Sequence, residues 1–100
     1  MDSQRAYLLG MAYIKGTGVE RDFNRAIWLL SIAAKDYTTA SIVATNQLAR
    51  IYENGIWINI NFDKALQWYQ RSLVICEKVF GNEHPDTAIT YNNIGLFTIT

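Results

Sequence analysis

The sequence predicts an all-α protein built from antiparallel helix pairs, because the chain repeats itself and its apolar residues recur at helical spacing. A shift of 39 residues superposes the first part of the chain on the second, with side chains of similar size and polarity at most pairs. The matched pairs are Leu9 with Leu48, Gly10 with Ala49, Tyr13 with Tyr52, Gly16 with Gly55, Asp22 with Asn61, Phe23 with Phe62 and Ala26 with Ala65. A fixed period is typical of helical repeat arrays, in which each unit buries its apolar face by stacking on neighbours.

Each copy is expected to contain two helices joined by a turn that contains glycine. The spacing of one helical face joins Ala6, Leu9, Gly10 and Tyr13 in one segment and Ala26, Leu29, Leu30 and Ala33 in the next. Gly16 and Gly55 are suited to end the first helices, since glycine readily adopts a positive φ. Asp22 and Asn61 stand where a side chain can cap the following helix. The predicted helices cover about residues 3–15, 22–36, 40–54, 61–80 and 85–98.

A third copy begins near the C-terminus, where Asn46 to Ile51 matches Asn92 to Phe97 with a larger shift. Pro85 is placed to open its first helix, where the missing N–H has no cost. We therefore predict a single repeat array over residues 1–100. Repeat one covers about 3–37, repeat two about 40–80 and a partial repeat three about 85–98. Because the chain starts inside one repeat and stops inside another, it is expected to be a fragment of a longer array.

Small residues are expected where two helices approach closely, with aromatic side chains filling the space beside them. The small set is Gly10, Ala26, Ala49, Ala65 and Gly95, and the aromatic set is Tyr13, Tyr52 and Trp68. A larger side chain at one of the small positions would force packed helices apart.

Composition and charge argue against several kinds of partner. Nine Lys and Arg residues balance nine Asp and Glu residues, and no basic run offers a footprint for nucleic acid or anionic lipid. The longest apolar stretch, Ala26 to Ala34, is too short to cross a bilayer.

Cys76 is the only cysteine, so no internal disulfide can form. The N-terminus lacks the features of a signal peptide, which favours a cytoplasmic location, although a removed signal would leave the compartment open.

The sequence shows no constellation of residues suited to catalysis or metal binding. His84, the only histidine, precedes a helix-opening proline and is expected to be structural rather than a general base. Cys76 lies on an apolar helical stripe, which favours a buried small side chain over a nucleophile. One Cys and one His do not provide the ligands of a metal site. We therefore predict that the protein is not an enzyme and uses no cofactor or metal.

The run from Leu9 to Val19, followed by Asp22 and Ala26, resembles the Sel-one-like repeat, a relative of the tetratricopeptide repeat. The second copy is similar to the same family at Leu48, Tyr52, Gly55, Lys64, Ala65, Trp68 and Tyr69. The run from Ile75 to Ala88, followed by Tyr91 to Gly95, resembles the kinesin-light-chain type of tetratricopeptide repeat. The resemblance implies a right-handed superhelical α-solenoid with two full repeats and the first helix of a third. It also implies an adaptor or scaffold that binds a peptide or partner protein.

Three positions depart from the family pattern. Trp57 stands where the family usually has its second loop glycine, so this loop is expected to be distorted. A large apolar side chain on a loop either folds back onto the core or awaits a partner, and the sequence leaves both alternatives open. Tyr37 replaces a usual glycine and Leu29 a usual tryptophan, which leaves the curvature of the array open.

The resemblance also implies which side chains face a ligand on the concave surface. They are Tyr7 and Met11 in the first copy, Asn46, Arg50 and Glu53 in the second and Asn92 in the third. Asn46 and Asn92 are equivalent, and an amide side chain can both donate to and accept from a peptide backbone. The alternative is that these are ordinary solvated polar residues. Arg50 alone does not supply the basic cluster that an acidic or phosphorylated motif requires.

The alternative to peptide binding is a purely architectural or self-assembling repeat unit. Ile94, Phe97 and Ile99 would leave an apolar surface at the end of the array, and such a surface tends to find a partner. We therefore expect self-association through the C-terminal helix. Whether polar or apolar side chains line the concave groove would distinguish peptide binding from the architectural role.

Overall fold

The computed structural model describes residues 2–81, and these residues form four α-helices and no strand. The helices are α1 (Ser3–Lys15), α2 (Phe23–Ala33), α3 (Thr39–Asn54) and α4 (Phe62–Phe80). They confirm an all-α solenoid and the first four predicted helices. The predicted helix at 85–98, and with it the partial third repeat, lies outside the described residues.

Each of these helices begins at a side chain that accepts a hydrogen bond from the first turn. The Oδ1 atom of Asp22 accepts from the N–H of Arg25 at 3.1 Å, and the Oδ1 atom of Asn61 accepts from the N–H of Lys64 at 3.0 Å. Both caps were predicted from the sequence. The caps of α1 and α3 are Asp2 and Thr38.

The α1–α2 and α3–α4 linkers close with equivalent hydrogen bonds. The N–H of Asp22 donates to the carbonyl of Tyr13 at 3.2 Å, and the N–H of Asn61 donates to the carbonyl of Tyr52 at 2.9 Å. Cations lie over the same two rings, Arg25 at 5.7 Å from the Tyr13 centroid and Lys64 at 5.2 Å from the Tyr52 centroid. The two helix pairs are therefore connected in the same way.

Trp57 adopts the left-handed backbone that a glycine adopts in the first linker, so the expected distortion of its loop is wrong. Gly16 and Gly18 have φ values of 72° and 75°, and their counterparts Gly55 and Trp57 have values of 67° and 65°. This conformation costs a residue with a side chain about 1–2 kcal/mol. The Trp57 ring stacks on the Phe23 ring, with centroids 3.9 Å apart and planes at 7°. The side chain thus folds back onto the first repeat.

α2 ends at Ala33, a few residues earlier than predicted, and a side chain from α4 binds the carbonyls just beyond this end. Thr38 has the extended backbone of an N-cap, so the chain leaves the helical path before this point. The Nε atom of Arg71 donates to the Ala34 carbonyl at 3.2 Å, and its Nη2 atom donates to the Lys35 carbonyl at 2.9 Å. Sequence spacing alone does not encode this contact.

The core lies where α2 packs between α1 and α3, and α3 in turn packs on α4. The main cluster consists of Ala6, Leu30, Ala33, Ala34, Ala44, Leu48 and Ile51. The predicted close-approach positions Gly10, Ala26, Ala49 and Ala65 are all buried, as is Cys76. Gly95 lies outside the described residues.

Leu9 is more exposed than its counterpart Leu48, contrary to the predicted burial of its helical face. Leu9 is 37% exposed and Leu48 is 0% exposed. α2 covers the Leu48 face of α3, where Leu30 and Ala33 belong to the same cluster. Within residues 2–81 no helix covers the equivalent face of α1.

Replacement of Gly10 or Ala65 by leucine is expected to lower the free energy of unfolding by about 1–3 kcal/mol, since packed helices must separate. A Cβ atom on Gly10 would already lie 3.3 Å from Leu30 Cγ and 3.4 Å from Leu29 Cβ. Thermal unfolding followed by circular dichroism measures the change. Asn24→Leu on an exposed part of α2 is the control, and an unchanged melting temperature in both core variants would contradict the packing.

Trp57→Ala is expected to destabilise the protein more than Trp57→Gly, by about 1 kcal/mol. Both changes remove the stack on Phe23, but only glycine also relieves the left-handed backbone. Urea unfolding of the two variants measures the difference. Alanine usually stabilises relative to glycine, so an alanine variant as stable as the glycine variant would contradict the assigned backbone.

Candidate interaction groove

A groove of about 500 Å³ lies between the first turns of α1 and α3. The lining residues are Asp2, Ser3, Gln4, Tyr7, Leu8, Thr38, Thr39, Ala40 and Val43. Leu8 and Val43 are exposed apolar side chains, and they lie beside the amide of Gln4 and the hydroxyl of Thr39. The groove therefore combines apolar surface with hydrogen-bonding groups.

A chain of hydroxyl groups holds the two helix ends beside the groove. The Ser3 and Thr38 hydroxyls lie 2.7 Å apart, and those of Thr38 and Ser41 lie 2.9 Å apart. The Ser41 hydroxyl donates to the carbonyl of Ala33 at 2.6 Å. Since Ser41 is fully buried and Ser3 nearly so, this chain fixes the distance between α1, α2 and α3 at the groove.

Of the five predicted site residues within residues 2–81, one lines this groove and four do not. Tyr7 lines the groove, and Met11 follows it on α1 and is half-buried. Asn46 of α3 is the counterpart of Tyr7 in the repeat and is also half-buried. The Asn46 Oδ1 atom is shielded from solvent and has no hydrogen-bond partner among residues 2–81. An unpaired buried acceptor of this kind costs about 1–3 kcal/mol.

Glu53 accepts a hydrogen bond from a residue of α4, whereas Arg50 is exposed to solvent. The Tyr69 hydroxyl donates to Oε2 of Glu53 at 2.7 Å. Burial, and after it the hydrogen bond and charge of Glu53, raise the pKa of Tyr69 from 10.0 to about 12, while Arg50 acts in the opposite direction. Glu53 thus has a structural partner that the sequence did not reveal. Asn92 lies outside the described residues.

Sequence reasoning missed the apolar part of the groove, Leu8 and Val43. Both are exposed, and neither belongs to the buried helical stripe used to predict the core. The sequence feature that could have indicated them is an apolar residue on the otherwise polar face of α1 and of α3. That signal is weak, because single exposed apolar residues are common on protein surfaces.

Within residues 2–81, no group of three or more His, Cys, Asp or Glu side chains is arranged to hold a metal ion. None of the helices in the described part of the chain has the length and apolar character needed to cross a membrane. His84 lies outside these residues.

Two equivalent helix pairs that stack through a shared core define a helical repeat solenoid. The Sel1 repeat profile matches residues 6–36 and 42–73, and a tetratricopeptide repeat profile matches residues 59–96. The chain therefore belongs to the Sel1 repeat family. Comparison with curated proteins and with solved structures found no match.

Sel1 and tetratricopeptide repeats are generally protein–protein interaction modules and are typically scaffolds without catalytic activity. The kinesin-light-chain subtype stays a prediction.

Tyr69→Phe is expected to reduce stability at neutral pH by about 1–2 kcal/mol, because it removes a hydrogen bond to a carboxylate. The raised pKa of Tyr69 also gives a pH test. A group with a raised folded pKa stabilises fully below its unfolded value and loses that contribution as pH rises through the folded value. The stability difference between wild type and variant should therefore shrink between about pH 10 and 12. Urea unfolding across this range measures it, and a constant difference would contradict the assigned contact.

Proposed function

We propose that the protein is an adaptor that binds an extended peptide segment of a partner protein along the face formed by α1 and α3. The observation that carries this proposal is the groove between the first turns of these helices. Its lining is neither purely polar nor purely apolar. A peptide needs both kinds of contact, since it has a polar backbone and apolar side chains.

Asn46 supplies the hydrogen-bonding part of the proposed recognition. Its Oδ1 atom lacks a hydrogen-bond partner within the described part of the chain, so rotation of the amide toward a peptide N–H would remove an existing cost. Tyr7 and Met11 offer apolar contact to the peptide side chains. Arg50, exposed on the same helix as Asn46, would contact polar groups of the ligand. Asn92, the counterpart of Asn46 in the sequence, belongs to the same proposal and lies outside the described residues.

Asn46→Ala is expected to weaken peptide binding about tenfold, or about 1.4 kcal/mol, without reducing stability. Stability should stay or rise, because the change removes an unpaired acceptor and alanine favours a helix more than asparagine does. Peptides selected from a displayed random library on the immobilised protein serve as ligands, with affinity measured by fluorescence titration.

Tyr7→Ala should weaken the same peptides, and Asn24→Ala, an exposed asparagine on α2, is the matched control. Peptides that bind the Asn46 and Tyr7 variants as tightly as wild type would place recognition elsewhere. Failure of the library to yield any binding peptide would favour an architectural role.

The architectural alternative is favoured by one observation. Leu8 and Leu9 of α1 are exposed at a surface shared with Ala12, while Leu48 and Ile51 at the equivalent α3 surface are covered by α2. A helix face of this kind is suited to pack against another helix. Self-association through Ile94, Phe97 and Ile99 belongs to the same alternative, and these residues lie outside the described range.

A further inference from the structure

A second groove lies between α2 and α4 and shares no lining residue with the groove between α1 and α3. It has a volume of about 340 Å³ and is lined by Ser31, Ala34, Lys35, Trp68 and Arg71. It thus places one aromatic ring, one hydroxyl and two cations around a single depression. Any ligand of this groove would be separate from the peptide proposed for the α1–α3 face.

Arg71 is held in place before any ligand arrives. Besides its bonds to the carbonyls of Ala34 and Lys35, its Nη1 atom donates to the Tyr37 hydroxyl at 3.4 Å. These bonds use three of the five guanidinium N–H groups and leave one on each terminal nitrogen. A side chain fixed in this way loses little conformational freedom on binding, and it keeps two N–H groups that can donate to a carboxylate.

The cationic surface extends beyond the groove to Lys78, which shares the ring of Tyr37 with Arg71. The Tyr37 ring lies 4.8 Å from Arg71 Cζ and 4.4 Å from Lys78 Nζ, measured to the ring centroid. Tyr37 is 47% exposed, and the hydrogen bond from Arg71 with the charge of Lys78 lowers the pKa of its hydroxyl. Within residues 2–81, neither Arg71 nor Lys35 nor Lys78 forms an ion pair with a carboxylate. Three cations therefore share one strip of a chain whose net charge is zero.

We infer that this groove binds an acidic segment of a partner protein. A Glu or Asp carboxylate of the segment pairs with Arg71 and Lys35, and an adjacent apolar side chain covers Trp68. Charge complementarity supports the carboxylate, and the ring of Trp68 beside Ala34 supports the apolar neighbour. A free phosphate is a poorer fit, because it would leave the ring of Trp68 uncovered.

The test uses the three tryptophans of the chain, of which only Trp68 lines this groove. The probe is an acetylated and amidated hexapeptide of alternating Glu and Leu, titrated into the ¹⁵N-labelled protein. We expect the indole N–H signal of Trp68 to shift while those of Trp28 and Trp57 stay in place. The same hexapeptide with Gln in place of Glu is expected to leave all three signals unchanged.

Lys35→Gln is expected to weaken binding of the acidic hexapeptide about threefold, as loss of one exposed charge does. Lys35 is exposed, so this variant tests the groove without disturbing the fold. Lys15→Gln, at the C-terminal end of α1, is the matched control and should leave the affinity unchanged. Arg71→Lys keeps the charge but removes the paired N–H geometry, and it should weaken binding as well.

Three results would overturn the inference. Equal binding of the Gln hexapeptide would show that charge is not recognised. Equal weakening by Lys15→Gln would show general attraction to basic residues. A shift of the Trp68 signal by inorganic phosphate at lower concentration than by the hexapeptide would assign the groove to a phosphoryl group.

Discussion

The packing of α2 between α1 and α3 is the contact on which the rest of the structure depends. It requires small residues where the helices approach most closely, and Gly10 meets this requirement because a Cβ atom there would crowd Leu29 and Leu30. α2 also contributes Leu30 and Ala33 to the buried cluster that contains Ala44 and Leu48 of α3. Because both neighbours are held by one helix, the first turns of α1 and α3 lie beside each other and form a groove.

Two tertiary contacts hold α2 in this position, one near each end. Trp57 reaches back from the α3–α4 linker and stacks on Phe23 at the N-terminal end. Arg71 reaches from α4 to the carbonyls of Ala34 and Lys35 just beyond the C-terminal end. The first contact requires a left-handed backbone at Trp57, and the second fixes the guanidinium of Arg71. The second helix pair is thereby tied to the first along the length of α2.

The same geometry creates two surfaces with different chemistry. The α1–α3 face combines Tyr7, Leu8 and Val43 with amide and hydroxyl groups, whereas the α2–α4 groove combines Trp68 with cations. Sel1 repeats are generally protein–protein interaction modules, and both grooves are proposed as contact surfaces. The two grooves share no lining residue, so the two proposed ligands would contact different residues.

The sequence by itself determined the helix pairs, the caps at Asp22 and Asn61 and the buried small positions. These features depend on residues a few positions apart, so spacing and residue type are sufficient to predict them. Resemblance to a repeat family also indicated Tyr7, which lines the groove between α1 and α3, and its role in binding stays a prediction.

Only the tertiary structure decided the early end of α2, the stacking of Trp57, the pairing of Glu53 with Tyr69 and the cationic groove around Arg71. Arg71 and Ala34 are 37 residues apart in the chain. The distance between such residues is set by how helices cross, and a local pattern of residues does not specify that crossing.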